Sequence, residues 1–140
     1  MTVFIPYDDA IEVAKCLDAR RLNRQIQECG WIINAASSEM SYRTKTHPCY
    51  KMWKDHTEWL KWYQKVLKTW SKTHNPDLLY ELRNSEPKRP EFLSEDVCNA
   101  SKCQLYHKFP EHYKEFAPFK DFTDSNWYVI NGEIIKYKQR

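Results

Sequence analysis

The stretch Cys49-Tyr50-Lys51-Met52-Trp53-Lys54-Asp55-His56-Thr57-Glu58-Trp59-Leu60-Lys61-Trp62-Tyr63-Gln64-Lys65-Val66-Leu67-Lys68-Thr69-Trp70 decides the fold class. Cys49, Met52, Trp53, His56, Trp59, Leu60, Tyr63, Val66, Leu67 and Trp70 follow i, i+3, i+4, i+7 spacing. On a helix that advances about 100° per residue, this spacing gathers them into one apolar stripe. It predicts a helix over residues 49–70, with Pro48 in the first turn, where a missing N–H leaves no bond unmade. Lys54, Lys61, Lys65, Lys68 and Lys72 form a separate ridge along the same helix. Two readings of the ridge stand side by side: a solvated face, the usual place of lysine, or an edge that tracks phosphates.

Outward from this helix the same class of structure continues. Only two glycines and seven prolines punctuate 140 residues, and no stretch alternates apolar and polar for long, which favours helices over sheet. An N-terminal arm, residues 2–7, leads to Asp8 or Asp9 as the N-cap of a helix running from about residue 10 to about residue 36. Leu22, Ile26, Cys29 and Ile33 are its expected core stripe, with Arg21, Arg24 and Glu28 within a sector of about 60° on the other side. Residues 37–46, which include Arg43 and Lys45, read as a polar loop.

Downstream, His74-Asn75-Pro76 ends the central helix and residues 77–82 read as a further turn or two. Ser85-Glu86-Pro87-Lys88-Arg89-Pro90 is a stiff connector, since its two prolines exclude helix. Ser94 caps a third main helix to about residue 109, and Pro110 stops it or restarts a short turn to about residue 116. Asn131-Gly132 is the pair preferred in a type I′ turn, so residues 128–137 are the one expected hairpin. The expected architecture is mainly α: a single compact domain of about three main helices, an N-terminal arm and an aromatic C-terminal tail.

Composition bounds the function classes. The mean hydropathy is −0.83, yet 15% of residues are aromatic and supply large bodies for a core. No run approaches the roughly 20 apolar residues of a membrane span, and Met1-Thr2-Val3-Phe4-Ile5-Pro6 lacks the features of a signal peptide. A cytoplasmic location is expected. Cys16, Cys29, Cys49, Cys98 and Cys103 are odd in number and lack CxxC pairs, so reduced thiols are the simplest reading. Zinc on Cys98, Cys103 and His107 is disfavoured, because on a helix the two cysteines point about 140° apart. The net charge of +3 is modest, so a nucleic-acid surface has to come from how the charges are arranged.

Glu28 is the candidate for chemistry. A carboxylate beside guanidinium groups serves as an acid/base group, as an electrostatic stabiliser of a cationic transition state such as that of glycosidic-bond cleavage, or as one half of an ordinary i, i+4 salt bridge. Trp127 and Tyr128 read either as a latch onto a core or as rings that stack on bases, with Lys136, Lys138 and Arg140 on phosphates. His47, His56, His107 and His112 read as core or surface histidines.

A resemblance adds to this reading. Leu17-Asp18, then Arg21-Leu22, then Glu28 six residues after that leucine, on a helix following Thr2, is similar to the phage endonuclease V family of pyrimidine-dimer DNA glycosylases. Asn99-Ala100-Ser101-Lys102-Cys103-Gln104-Leu105-Tyr106-His107-Lys108 resembles that family's third helix, and Trp127-Tyr128 before Gly132 resembles its aromatic tail. Phe4-Ile5-Pro6-Tyr7, His47-Pro48 with Met52-Trp53, and Pro110-Glu111-His112-Tyr113 look like a divergent, largely phage-encoded branch grouped with it.

The resemblance implies one helical domain over residues 1–140 and a bifunctional glycosylase and abasic-site lyase. By that likeness Thr2, freed of Met1, supplies an α-amine that attacks C1′ and forms a Schiff base, and Glu28 stabilises the sugar cation and moves protons. It implies no metal or organic cofactor, and a monomer acting on double-stranded DNA with damaged pyrimidines in a host-cell cytoplasm. The implied DNA contacts are Arg20, Arg21, Arg24, Lys102, Gln104, Lys108, Trp127, Tyr128 and Lys136. Gln104, Gln27 and Trp31 stand where the family has arginines, and Val3 replaces the arginine that follows its second residue. The departures at Gln104, Gln27 and Trp31 remove positive charge from the expected lesion-binding face. Two other functions fit the same residues: a glycosidase acting on another modified base or nucleotide, and a non-catalytic nucleic-acid or protein-binding module.

Overall fold

The structure is a computed structural model that describes residues 2–37, 46–123, 127–130 and 133–136, with the side chains of Ile130 and Lys136 outside the described set. It is mainly helical, with a small two-stranded hairpin near the C-terminus. The chain divides into two units: Met1–Val3 with Asp9–Pro90, and Phe4–Asp8 with Glu91–Arg140.

The first unit opens with α1 (Ala10–Cys16), whose N-cap Asp9 accepts the Ile11 N–H on its side chain. The helix expected to run on to about residue 36 is instead broken. Leu17 is extended, and α2 (Ala19–Ser37) starts afresh after Asp18, whose carbonyl accepts the Leu22 N–H. The core face of α2 also differs from the predicted stripe. Leu22, Gln25, Glu28, Cys29, Ile32 and Ala35 are buried, while Ile26 and Ile33 are only half-buried. The buried face is thus rotated toward Gln25 and Ile32, and its polar members bind the N-terminal arm.

The central periodic segment is likewise two helices, α3 (Pro48–Trp53) and α4 (Thr57–Thr73). His47 caps α3 by accepting the Cys49 N–H on Nδ1, with Pro48 at the first helical positions. The break between the two lets Trp53 and Trp59 stack with ring centroids 5.7 Å apart. In one continuous helix, residues six apart would stand about 120° from each other around the axis. Trp59 also stacks on Tyr63, and its indole N–H donates to Glu86. Trp62 donates to the Leu82 carbonyl of α5 (Pro76–Leu82). α2 and α4 pack closely: Gln64 donates to the Ile26 carbonyl, and a Cβ on Gly30 would lie 3.3 Å from Gln64 Nε2. α4 ends at His74 in the left-handed conformation, and Asn75 caps α5 by accepting the Asp77 N–H.

In the second unit, Ser94 caps α6 (Glu95–Lys108) by accepting the Val97 N–H. The helix packs against a 3-10 turn, Lys114–Phe119, where Tyr113 and Phe116 stack at 5.8 Å. Ile5 of the arm donates its N–H to the buried Ser101 hydroxyl of α6. β1 (Trp127–Ile130) and β2 (Glu133–Lys136) pair antiparallel, with Ile130 opposite Glu133. That register leaves two residues between the strands, the length a type I′ turn spans. Asn131 and Gly132 themselves lie outside the described residues, as do Arg43, Lys45, Lys138 and Arg140. Among the described residues, no helix is long and apolar enough to cross a membrane.

Candidate active site

The site is built on one turn of α2 and the first residues of the arm. Gln25 and Glu28, one turn apart, point to the same side of the helix and are 0% and 5% exposed. Two unsatisfied polar side chains in such a place would cost several kcal/mol, so they require partners. The arm supplies them. The Thr2 N–H donates to Glu28 Oε2 at 3.2 Å, and Gln25 Nε2 donates to the Thr2 carbonyl at 2.6 Å and to Glu28 Oε2 at 3.1 Å. Arg24 reaches the other carboxylate oxygen, with Nε 3.4 Å from Oε1. The glutamate therefore sits between the backbone of residue 2 and an exposed guanidinium. It is not the exposed member of a polar helix face that its spacing predicts.

Burial pushes the Glu28 carboxyl above the usual carboxylate range, against the opposing pull of the Thr2 N–H and of Arg24. A carboxyl held this way is more easily protonated than an exposed one, which suits a group that must both give and take a proton. The wall behind it is inert. Burial and the nearby Glu28 charge push the Cys49 thiol up to about 12, and burial drives Cys29 higher still. A backbone hydrogen bond from Val3 reaches Cys49 and ties the arm down one residue further on. His47 is shifted down from its ordinary value, chiefly by burial, which agrees with its unprotonated Nδ1 accepting the Cys49 N–H.

The model of the pyrimidine dimer DNA glycosylase family matches residues 1–72. The chain belongs to that family. The matched span holds the arm, α2 and all but the last residue of α4, and so every group just described. No curated protein and no solved structure gives a significant match.

The other expected DNA contacts of this glycosylase-family chain lie on α2, α6 and the hairpin. Arg20 and Arg24 are exposed on α2. Arg21 is part-buried, its guanidinium 3.2 Å from Asp18. Lys102, Gln104 and Lys108 lie on α6 of the second unit. Lys108 is exposed and Gln104 is buried. The ammonium of Lys102 lies over the rings of Phe119, Tyr7 and Phe116 at 4.7, 5.2 and 6.0 Å. Trp127 and Tyr128, on β1, are only 3% and 6% exposed. The side chain of Lys136 lies outside the described residues, as does Met1.

Among the described residues, no group of three His, Cys, Asp or Glu side chains is placed to hold a metal ion. The Cys103 thiol donates instead to the carbonyls of Lys120 and Thr123. Sequence reasoning missed Gln25. The signal was present, because Leu22, Gln25, Cys29 and Ile32 are spaced by three, four and three, but a glutamine is not ordinarily counted as a core residue.

Proposed function

We propose that this chain is a DNA-repair glycosylase that cleaves the N-glycosidic bond of a damaged pyrimidine, such as one in a cyclobutane dimer, and then cleaves the strand at the abasic site. The observation that carries the proposal is the 3.2 Å hydrogen bond between the nitrogen of Thr2 and Glu28. Removal of Met1 turns that amide nitrogen into an α-amine with a pKa near 8, partly unprotonated at neutral pH. A nucleophile and a buried carboxyl then stand within hydrogen-bond reach of each other, the arrangement covalent catalysis needs.

In the proposed reaction the amine attacks C1′ of the sugar, and the base leaves with the electrons of the C1′–N bond. Glu28 stabilises the positive charge that develops on the sugar. Opening of the ring gives a protonated Schiff base. Loss of a C2′ proton, assisted by Glu28, then expels the 3′ phosphate. Gln25 fixes the residue that carries the amine by holding its carbonyl. Arg20 and Arg24, with the exposed lysines of α4, are the proposed phosphate contacts. A target buried in a duplex has to be displaced from the stack to reach such a site.

Borohydride reduction tests the central step. Incubated with an abasic-site duplex, the protein lacking Met1 is expected to form a covalent adduct that survives denaturation. A protein that binds this duplex, retains no Met1 and yields no adduct overturns the amine mechanism. Comparison of ultraviolet-irradiated with oxidised or base-modified duplexes then fixes the lesion.

A further inference from the structure

We infer that Trp31 is a base-stacking residue of this site, placing its indole against an unstacked nucleobase beside the displaced nucleotide. The inference rests on the glycosylase reading above and names a contact that this reading leaves open. Trp31 is 44% exposed, and an isolated exposed aromatic ordinarily means nothing. Its surroundings make the difference. Trp31 lies three residues beyond Glu28 and seven beyond Arg24, so the three side chains share one sector of α2 about 60° wide.

Arg24 ties them together. Its guanidinium lies over the Trp31 ring, 4.8 Å from the centroid, while its Nε is 3.4 Å from Glu28. The indole is thus held by a cation on one face while much of its surface stays open to solvent, directly beside the carboxyl that faces residue 2. A ring already in contact on one face has less freedom to give up on binding than an isolated one. Removing one nucleotide from a duplex leaves its neighbours unstacked, and an aromatic platform accepts any base because every base has a π face. The aromatics of the tail are less suited to the task as they stand: Trp127 and Tyr128 are buried.

The test compares Trp31→Ala and Trp31→Phe with the wild type. Affinity is measured for an intact duplex and for one carrying a stable tetrahydrofuran abasic analogue with a fluorescent base analogue next to it. Trp31→Ala is expected to weaken binding to the abasic-analogue duplex by roughly tenfold or more, the scale of a single base–aromatic stack. Its affinity for intact duplex and its Tm should be unchanged. Trp31→Phe should keep most of the affinity and of the fluorescence change. Equal losses on both duplexes, no loss on either, or a fall in Tm that accounts for the loss overturns the assignment. A wild type lacking Met1 that shows this stacking yet forms no borohydride adduct supports Trp31 and overturns the lyase reading alone.

Discussion

At the scale of single residues, the site depends on how Glu28 and Gln25 share the work of holding residue 2. Glu28→Gln keeps the shape and one acceptor for the Thr2 N–H but removes the charge and the proposed proton shuttle. It is expected to abolish base release, by at least the roughly hundredfold that a positioned acid/base group contributes, while duplex affinity changes little. Release at more than a tenth of the wild-type rate would remove Glu28 from its assigned role. Gln25→Met tests the neighbour. Methionine fills nearly the same buried volume but cannot donate to the Thr2 carbonyl or to Glu28. Adduct formation should slow, while stability falls by about 1–3 kcal/mol, the usual cost of leaving a buried acceptor unsatisfied. A full stability loss with unchanged single-turnover adduct formation would make Gln25 a packing residue only.

Among the elements, the helix ends were legible wherever a residue type carries its own local mechanism. Pro48 in a first turn, Asn75 before Pro76, Ser94 as a cap and His74 at a stop each act within a few residues of chain. The bend after Trp53 and the rotation of α2 were not legible, because they rest on contacts distant in sequence or on buried polar groups. The bend after Trp53 accompanies a Trp53–Trp59 stack and the bond from Trp59 to Glu86. The rotation of α2 depends on Gln25 and Glu28 being satisfied by the arm. Glu28 was therefore singled out in the sequence, while its buried setting was not read there.

The lysine ridge of α4 was legible and is exposed: Lys61, Lys65, Lys68 and Lys72 all face solvent. With Glu58 as the sole acid, this helix has a net charge of +3, equal to that of the whole chain. Changing all four lysines to glutamine should leave helix propensity nearly untouched. It should make the dependence of log affinity for duplex DNA on log salt shallower, by about 0.9 for each phosphate that is no longer neutralised. An unchanged slope would return the ridge to a plain solvated face.

For the molecule as a whole, the buried carboxyl links the proposed chemistry to stability through pH. With the Thr2 nitrogen as an amide, in the protein that retains Met1, native Glu28 titrates above the ordinary carboxylate range, because burial disfavours its charge; in the unfolded chain it is solvated and titrates near the ordinary value. Between those two pKa values the native state holds more of this proton than the unfolded state does. The slope of unfolding free energy against pH from this group is therefore negative. Its contribution is most favourable below the unfolded pKa, falls as pH rises through the window, and is fully lost above the folded pKa. Glu28→Gln removes this one titration. Its Tm relative to wild type should rise from acid toward neutral pH and then level off. Subtracting one protein from the other cancels the other groups insofar as they titrate alike in both, so the shape of the difference is the readout and its offset is not. A difference that stays flat would mean that Thr2 and Arg24 offset the burial, one that falls as pH rises that they more than offset it, and in either case the carboxyl would enter the reaction as an ordinary ionised base.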